Sequence, residues 1–277
     1  MRLLLCSQCL MVILACSPLL ARAELMLNPT RVVLANHQRA AQVELINNGK
    51  EPATYRISLV NRRMSETGEF SNADTPAEGE QFATDMLSYS PRQITLLPGT
   101  AQVVRVMVRK PDGLAEGEYR SHLHFEKLAD AAGATSVEGA TAPGAQIGVV
   151  LKALVGASIP VIVRHGAPKA SVALADVRLQ PGTGASAPLL QFTIQRSGNS
   201  SVYGDVIATL MPVGGQAQPL ARASGVAIYL PNALRRAALS LQLPSGQSLA
   251  RGQLHLAYRE RPEAGGKLLA EAFLNLP

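Results

Sequence analysis

Tryptophan is absent from this 277-residue chain, and only 5 Phe and 6 Tyr are present. Cysteine occurs at Cys6, Cys9 and Cys16 and nowhere later. Hydrophobic residues still reach 47%, so the core has to be aliphatic, a composition that favours strands. No long Lys/Arg run is present, and no basic stretch is interleaved with aromatics, which argues against nucleic-acid binding. The formal charge of +6 falls to +4, 24 basic against 20 acidic residues, once Arg2 and Arg22 are set aside. Catalytic motifs are missing as well: no G-x-S-x-G elbow, no Walker loop, no H-E-x-x-H, and no C-x-x-C beyond residue 23. Glu116 and Glu118 flank Gly117 and read as solvated turn residues, not as paired acids. His122 and His124 share a strand face with Glu126 and make half a metal site. The simpler reading is a polar strand face meeting solvent or another domain. The expectation is a protein that is not an enzyme and needs no cofactor or metal.

The first 23 residues read as a secretory leader. Arg2 supplies the positive start, residues 3–20 are largely apolar, and Ala21-Arg22-Ala23 is a small-residue cleavage site. A membrane-spanning helix is disfavoured by Ser7, Gln8 and Pro18 inside the run. A second reading stays open: Ile13-Leu14-Ala15-Cys16 loosely resembles a lipobox, which would make Cys16 a lipid anchor. Cleavage after Ala23 would remove every cysteine, leaving a secreted chain held by core packing alone. That is feasible for domains above about 100 residues.

Beyond the leader the chain is patterned for strands. Residues 25–34 read as one strand kinked at Pro29, an edge feature. Residues 42–46 and 53–62 alternate polar with apolar, and Asn47-Asn48-Gly49-Lys50 between them is a turn signal. Residues 64–84 read as a polar loop, and 87–96 as a strand bent at Pro91. Residues 101–109 place Val104, Val106 and Val108 on one face. Residues 117–127 place Tyr119, Ser121, Leu123 and Phe125 on one face. Residues 130–144 lack bulky side chains and are expected to be mobile. Then comes the longest apolar stretch, residues 145–166, AQIGVVLKALVGASIPVIVRHG. Seven further strands are expected at 170–179, 189–195, 204–212, 225–230, 237–243, 253–259 and 267–274. Short strands at this spacing indicate sandwiches, and the length suggests two of them. The expected division is 24–166 and 167–277, with the hinge near His165-Gly166-Ala167-Pro168.

The ordered set Asn28-Pro29-Thr30-Arg31-Val32-Val33, Asn47-Asn48-Gly49 with Pro52-Ala53-Thr54-Tyr55-Arg56, Ser90-Pro91-Arg92 with Leu97-Pro98-Gly99, Gly117-Glu118-Tyr119-Arg120-Ser121-His122-Leu123 and Ile159 through Arg164 resembles the PapD-like periplasmic chaperones of the chaperone–usher pilus pathway. The resemblance covers almost the whole chain beyond the leader. It implies an all-β protein of two immunoglobulin-like sandwiches set as a boomerang. It further implies a soluble periplasmic protein that caps pilin or fimbrial subunits by lending them a strand and hands them to an outer-membrane usher. No ATP is involved and the chain beyond the leader does not enter the membrane. A self-capping dimer is left open.

The resemblance puts the donor strand at 145–164. The residues pick out Val149, Leu151, Ala153 and Val155 as one row at period 2, whereas Lys152 interrupts the other row. Both rows lying in a core is the competing reading. By resemblance, Arg31 holds the subunit's terminal carboxylate, a role suited to a guanidinium fork. The family's second anchor, a Lys, is replaced by Pro160. Glu118 and Arg164 match a pair that fixes the angle between domains, and the family's third member, an Asp, has no match at 252–258. Outside this reading stands a two-sandwich structural or adhesive surface protein anchored through Cys16. An enzyme is the third choice, one that stoichiometric metal at His122 and His124 would revive.

Overall fold

The computed structural model describes residues 24–129, 156–182, 186–243, 249 and 251–277. Its regular elements are strands: β1 (Leu25–Asn28), β2 (Val32–Leu34), β3 (Ala40–Asn47), β4 (Ala53–Val60), β5 (Arg62–Met64), β6 (Phe70–Asn72), β7 (Leu87–Ser90), β8 (Gln93–Leu96), β9 (Ala101–Val108), β10 (Gly117–Lys127) and β11 (Ala157–His165) come first. They are succeeded by β12 (Ala170–Gln180), β13 (Leu189–Gly198), β14 (Val202–Pro212), β15 (Gln218–Ile228), β16 (Leu234–Ser240), β17 (Gly252–Arg259) and β18 (Leu268–Leu276). The only helical pieces among the described residues are 3-10 turns at Thr84–Met86 and Pro262–Ala264.

The first half is a sandwich of two sheets, in the orders β1-β3-β9-β7 and β2-β11-β10-β4-β8. The second half pairs β12-β13-β16 with β15-β14-β17-β18. Strands one, two and five of the second half share one sheet, and its strands three, four, six and seven share the other. Both halves have the Greek-key character of an immunoglobulin-like sandwich. The alternation read from the sequence accounts for the packing. In β9, Val104, Val106 and Val108 are buried while Val103 and Met107 face out. In β10, Tyr119, Leu123 and Phe125 enter the first core beside Tyr55, Leu45 and Leu34. Leu190, Ile194, Ile228, Leu254 and Leu256 build the second core. Each such side chain contributes about 1.5–3 kcal/mol by leaving water, which is how the structure holds together without a disulfide among these residues.

Three sequence expectations change. Residues 25–34 form two strands, not one kinked strand: β1 pairs with β3, and β2 pairs in parallel with β11 in the facing sheet. Residues 87–96 likewise divide, β7 pairing with β9 and β8 with β4. In both places a proline stands where the chain changes sheets. It has no N–H to leave unpaired there. The third change is at 64–84, where the expected loop contains a hairpin. β5 and β6 pair with each other, and this arm reaches the second sandwich. Met64 is buried in the second core. Asn232 Nδ2 donates to the Met64 carbonyl at 2.8 Å, and the Arg236 amide donates to the Glu66 carbonyl at 2.7 Å. Gly68, at φ 92°, caps the hairpin, and the Arg235 guanidinium occupies the space a Cβ would need. Any larger residue there would have to displace that side chain.

Of the long apolar stretch, only its end is described, as β11. Ile159, Val161 and Val163 point into the first core, and Ile162 on the opposite row enters the second. Val149, Leu151, Ala153 and Val155 lie outside the described residues. Past β11 the chain turns at Gly166, φ 70°, into β12.

Candidate functional site at the junction of the two sandwiches

The even-numbered row of β10 faces away from the first core, yet Glu118, Arg120 and His122 are all buried. They are covered by the second sandwich and the β5–β6 arm. A row that is polar in composition and buried in place has to find partners, because an unpaired buried charge is costly. Glu118, at 3% exposure, accepts from Arg164 Nε at 3.0 Å and from the Ser201 amide at 3.1 Å. Arg164 Nη2 in turn donates to the Ser201 carbonyl at 3.2 Å. Arg31 Nη2 donates to Ser201 Oγ at 3.2 Å. Thus one residue of the second sandwich meets Arg31, Glu118 and Arg164 through three different atoms.

Sequence reasoning misses Ser201, which makes the contacts to Glu118 and Arg164 for which the resemblance led one to look for an Asp. Two of its three contacts are made by its backbone, which no residue type signals. The only clue is the polar run Ser197-Gly198-Asn199-Ser200-Ser201, a turn composition ahead of a strand. That turn is fixed from behind. Arg196 Nη1 donates to the carbonyls of Gly198 and Ser200 at 2.8 and 3.1 Å, and its Nε to the Asn232 carbonyl at 2.9 Å. Asn199 exchanges hydrogen bonds with the backbone of Lys169, at 2.8 and 2.9 Å.

Arg31 precedes β2 and lies over the Tyr203 ring at 4.5 Å, with Tyr229 at 5.7 Å. Arg120 lies over the other part of this aromatic floor, 4.5 Å from the Tyr229 centroid, and donates to the Leu230 carbonyl at 3.3 Å. Burial pulls the Arg120 guanidinium below its ordinary value, while Tyr229, Glu80 and Glu118 pull it back. Burial also pushes the Tyr229 hydroxyl up, so it stays neutral. The junction is therefore rich in cations held on tyrosine faces.

His122 and His124 part company. His124 Nδ1 lies 2.9 Å from Ser158 Oγ and 3.1 Å from the Ala157 carbonyl. His122 is 2% exposed, lies edge-on to Phe70 at 5.3 Å, and among the described residues neither of its ring nitrogens has a hydrogen-bond partner. Burial, then the nearby Arg120 and Arg62, lowers its pKa from 6.5 to about 3. Glu126 pairs with Arg56 at the surface, and the described residues contain no group of three or more His, Cys, Asp or Glu able to hold a metal. Pro160 sits opposite His122 in the β10–β11 register. β2 joins β11 only from Val161 onward. Among the described residues no strand pairs with the outer side of Ala157–Pro160, and an edge is where a proline is tolerated.

No family model matches the sequence, and no curated protein matches it significantly. Solved structures of similar arrangement include the YadV chaperone, 11% identical with a TM-score of 0.45, covering 92% of this chain and 100% of that one. The CupB2 chaperone of Pseudomonas aeruginosa is 11% identical with a TM-score of 0.46, covering 91% and 100%. The periplasmic chaperone SfaE is 10% identical with a TM-score of 0.41, covering 91% and 100%.

Proposed function

We propose that this protein is a periplasmic chaperone for pilus or fimbrial subunits that works by donating a strand. The observation that carries the reading is the half-open edge of β11. Ala157–Pro160 is paired on the β10 side alone among the described residues, directly after the apolar alternation of 145–155. An open edge with alternating apolar side chains is what strand addition requires. Backbone hydrogen bonds supply the affinity, and side chains in pockets supply the selectivity. Val149, Leu151, Ala153 and Val155 share the odd numbering of Ile159, Val161 and Val163, so a strand kept in register would present them as an extension of the row that fills the first core. The ordered sequence motifs resembling PapD-like chaperones give the partner its identity, an incomplete pilin-type subunit, and its destination, an outer-membrane usher.

Arg31 is the residue proposed to meet the subunit's terminal carboxylate. It is presented on Tyr203 and steadied by Ser201. With Pro160 unable to act as a second cation, Arg31 works without the family's lysine. Glu118 and Arg164 are proposed to set the angle between 24–166 and 167–277. Export through the first 23 residues, and a soluble periplasmic location, belong to the same proposal.

The test is co-purification from the periplasm with mass spectrometry of bound proteins. The parent is expected to retain a small pilin-like subunit, and a folded variant carrying Leu151→Asp and Val155→Asp is expected to lose it to background. Equal retention by both, or no subunit in either, would move the surface-protein reading ahead.

A further inference from the structure

A cavity of about 400 Å³ lies between the β5–β6 arm, the outward row of β10 and β11, and the second sandwich. Its polar lining is Arg62, His122, His124, Ser158 and Arg235, and among the described residues no carboxylate lines it. Three of its side chains carry buried nitrogens without partners among the described residues: both ring nitrogens of His122, Arg62 Nε and Arg235 Nε. Buried polar atoms are satisfied in the great majority of cases, so three such side chains around one cavity call for an explanation. The remaining walls are made by glycines and by apolar or aromatic side chains, with Met64, Phe70, Pro160 and Tyr229 among them. A concave site with few convergent polar groups in an apolar wall is the form of a small-molecule pocket, and this volume lies at the small end of the usual range of roughly 300–1,000 Å³.

We propose that this cavity binds a small organic carboxylate with a flat apolar body, the carboxylate meeting the Arg62 and Arg235 guanidiniums beside the His122 ring and the body lying among Phe70, Pro160 and Tyr229. A planar carboxylate matches a guanidinium edge. A single negative charge also suits the place: two arginines face the cavity from different sandwiches. Because Met64 and Phe70 come from the arm and Tyr229 and Arg235 from the second sandwich, the ligand would tie the two halves together. Arg31 does not line the cavity and reaches it only through Tyr229, and the inference goes beyond strand donation and does not depend on it.

Benzoate is the probe, with benzamide as its neutral counterpart, both added to the free full-length protein without any subunit. Benzoate is expected to shift the ring resonances of His122, assigned with a His122→Asn variant, and to raise the unfolding temperature. Benzamide is expected to do neither. Arg62→Gln is expected to weaken benzoate binding by about tenfold or more, the worth of a charge-assisted hydrogen bond. Arg62 Nε has no partner among the described residues, so this variant is expected to fold like the parent. Equal responses to benzoate and benzamide, unmoved His122 resonances, or an affinity indifferent to Arg62→Gln would each overturn the proposal. Occupation of the cavity by the chain's own residues 130–155 would appear as the second of these.

Discussion

Replacing Glu118 by alanine is expected to lower the stability of the protein by about 3 kcal/mol. Its carboxylate is almost completely buried, with a side-chain exposure of 1%, and lies 3.0 Å from Arg164 Nε. The same oxygen takes the Ser201 amide. Removing it leaves a guanidinium 30% exposed without its counter-charge and an amide without an acceptor. Breaking a buried pair from one side usually costs about 3–5 kcal/mol, and water reaching Arg164 holds the figure to the lower end. Glu118 also joins a strand of the first sandwich to the turn ahead of β14 in the second, so the loss is expected to uncouple them. Urea unfolding should pass from one transition to two. Glu118→Gln, which keeps an acceptor oxygen, should cost less than the alanine. A change below about 1 kcal/mol with a single transition retained would show that the pair contributes little.

Acid should destabilise the protein through His122, with the loss beginning near pH 6.5, before carboxylates titrate. The folded pKa is lowered from 6.5 to about 3, so the neutral ring is the folded form. Unfolded chains take up a proton as the pH falls through 6.5, and folded chains do not until about 3. The stability is complete above pH 6.5 and drains away as the pH drops towards 3. The loss relative to neutral pH is about 2 kcal/mol by pH 5 and up to about 5 kcal/mol in full. Chemical denaturation at pH 7, 6 and 5 measures it. His122→Phe, which fills the same space beside Phe70 without a titratable group, should flatten the dependence across that window whatever it does to absolute stability. An unchanged slope in His122→Phe would place the acid sensitivity elsewhere.

Period-2 alternation makes β9 and the inward row of β10 legible from the residues alone; seven strands are also expected in the second half, but β15 runs over Gln218–Ile228 and β16 over Leu234–Ser240 in place of 225–230 and 237–243. Burial on one face writes that pattern directly. What the pattern does not carry is which sheet a strand joins. Pro29 and Pro91 therefore read as kinks in single strands, although each marks a crossing between sheets. The β5–β6 arm is hidden for a related reason. Arg62, Arg63, Ser65, Glu66 and Glu69 make it polar, and its fold is set by Met64 and Phe70 docking on distant residues. The outward row of β10 has a surface composition and an interior position, since its cover is supplied by the second sandwich. Of the candidate site, Arg31, Glu118 and Arg164 are legible through ordered motifs. Ser201, which meets all three, is not, because it acts largely through its backbone. The proposed donor residues Val149, Leu151, Ala153 and Val155 rest on the alternation alone.

Strand donation is tested most directly by backbone amide hydrogen exchange across residues 145–160, in the free protein and in the complex with a co-purified subunit. Strand addition predicts a gain of protection along this stretch on binding, with the outward amides within 157–159 joining it, Pro160 having no N–H to exchange. A subunit that stays bound while exchange at 145–160 is unchanged, with protection arising on another face, would contradict the account.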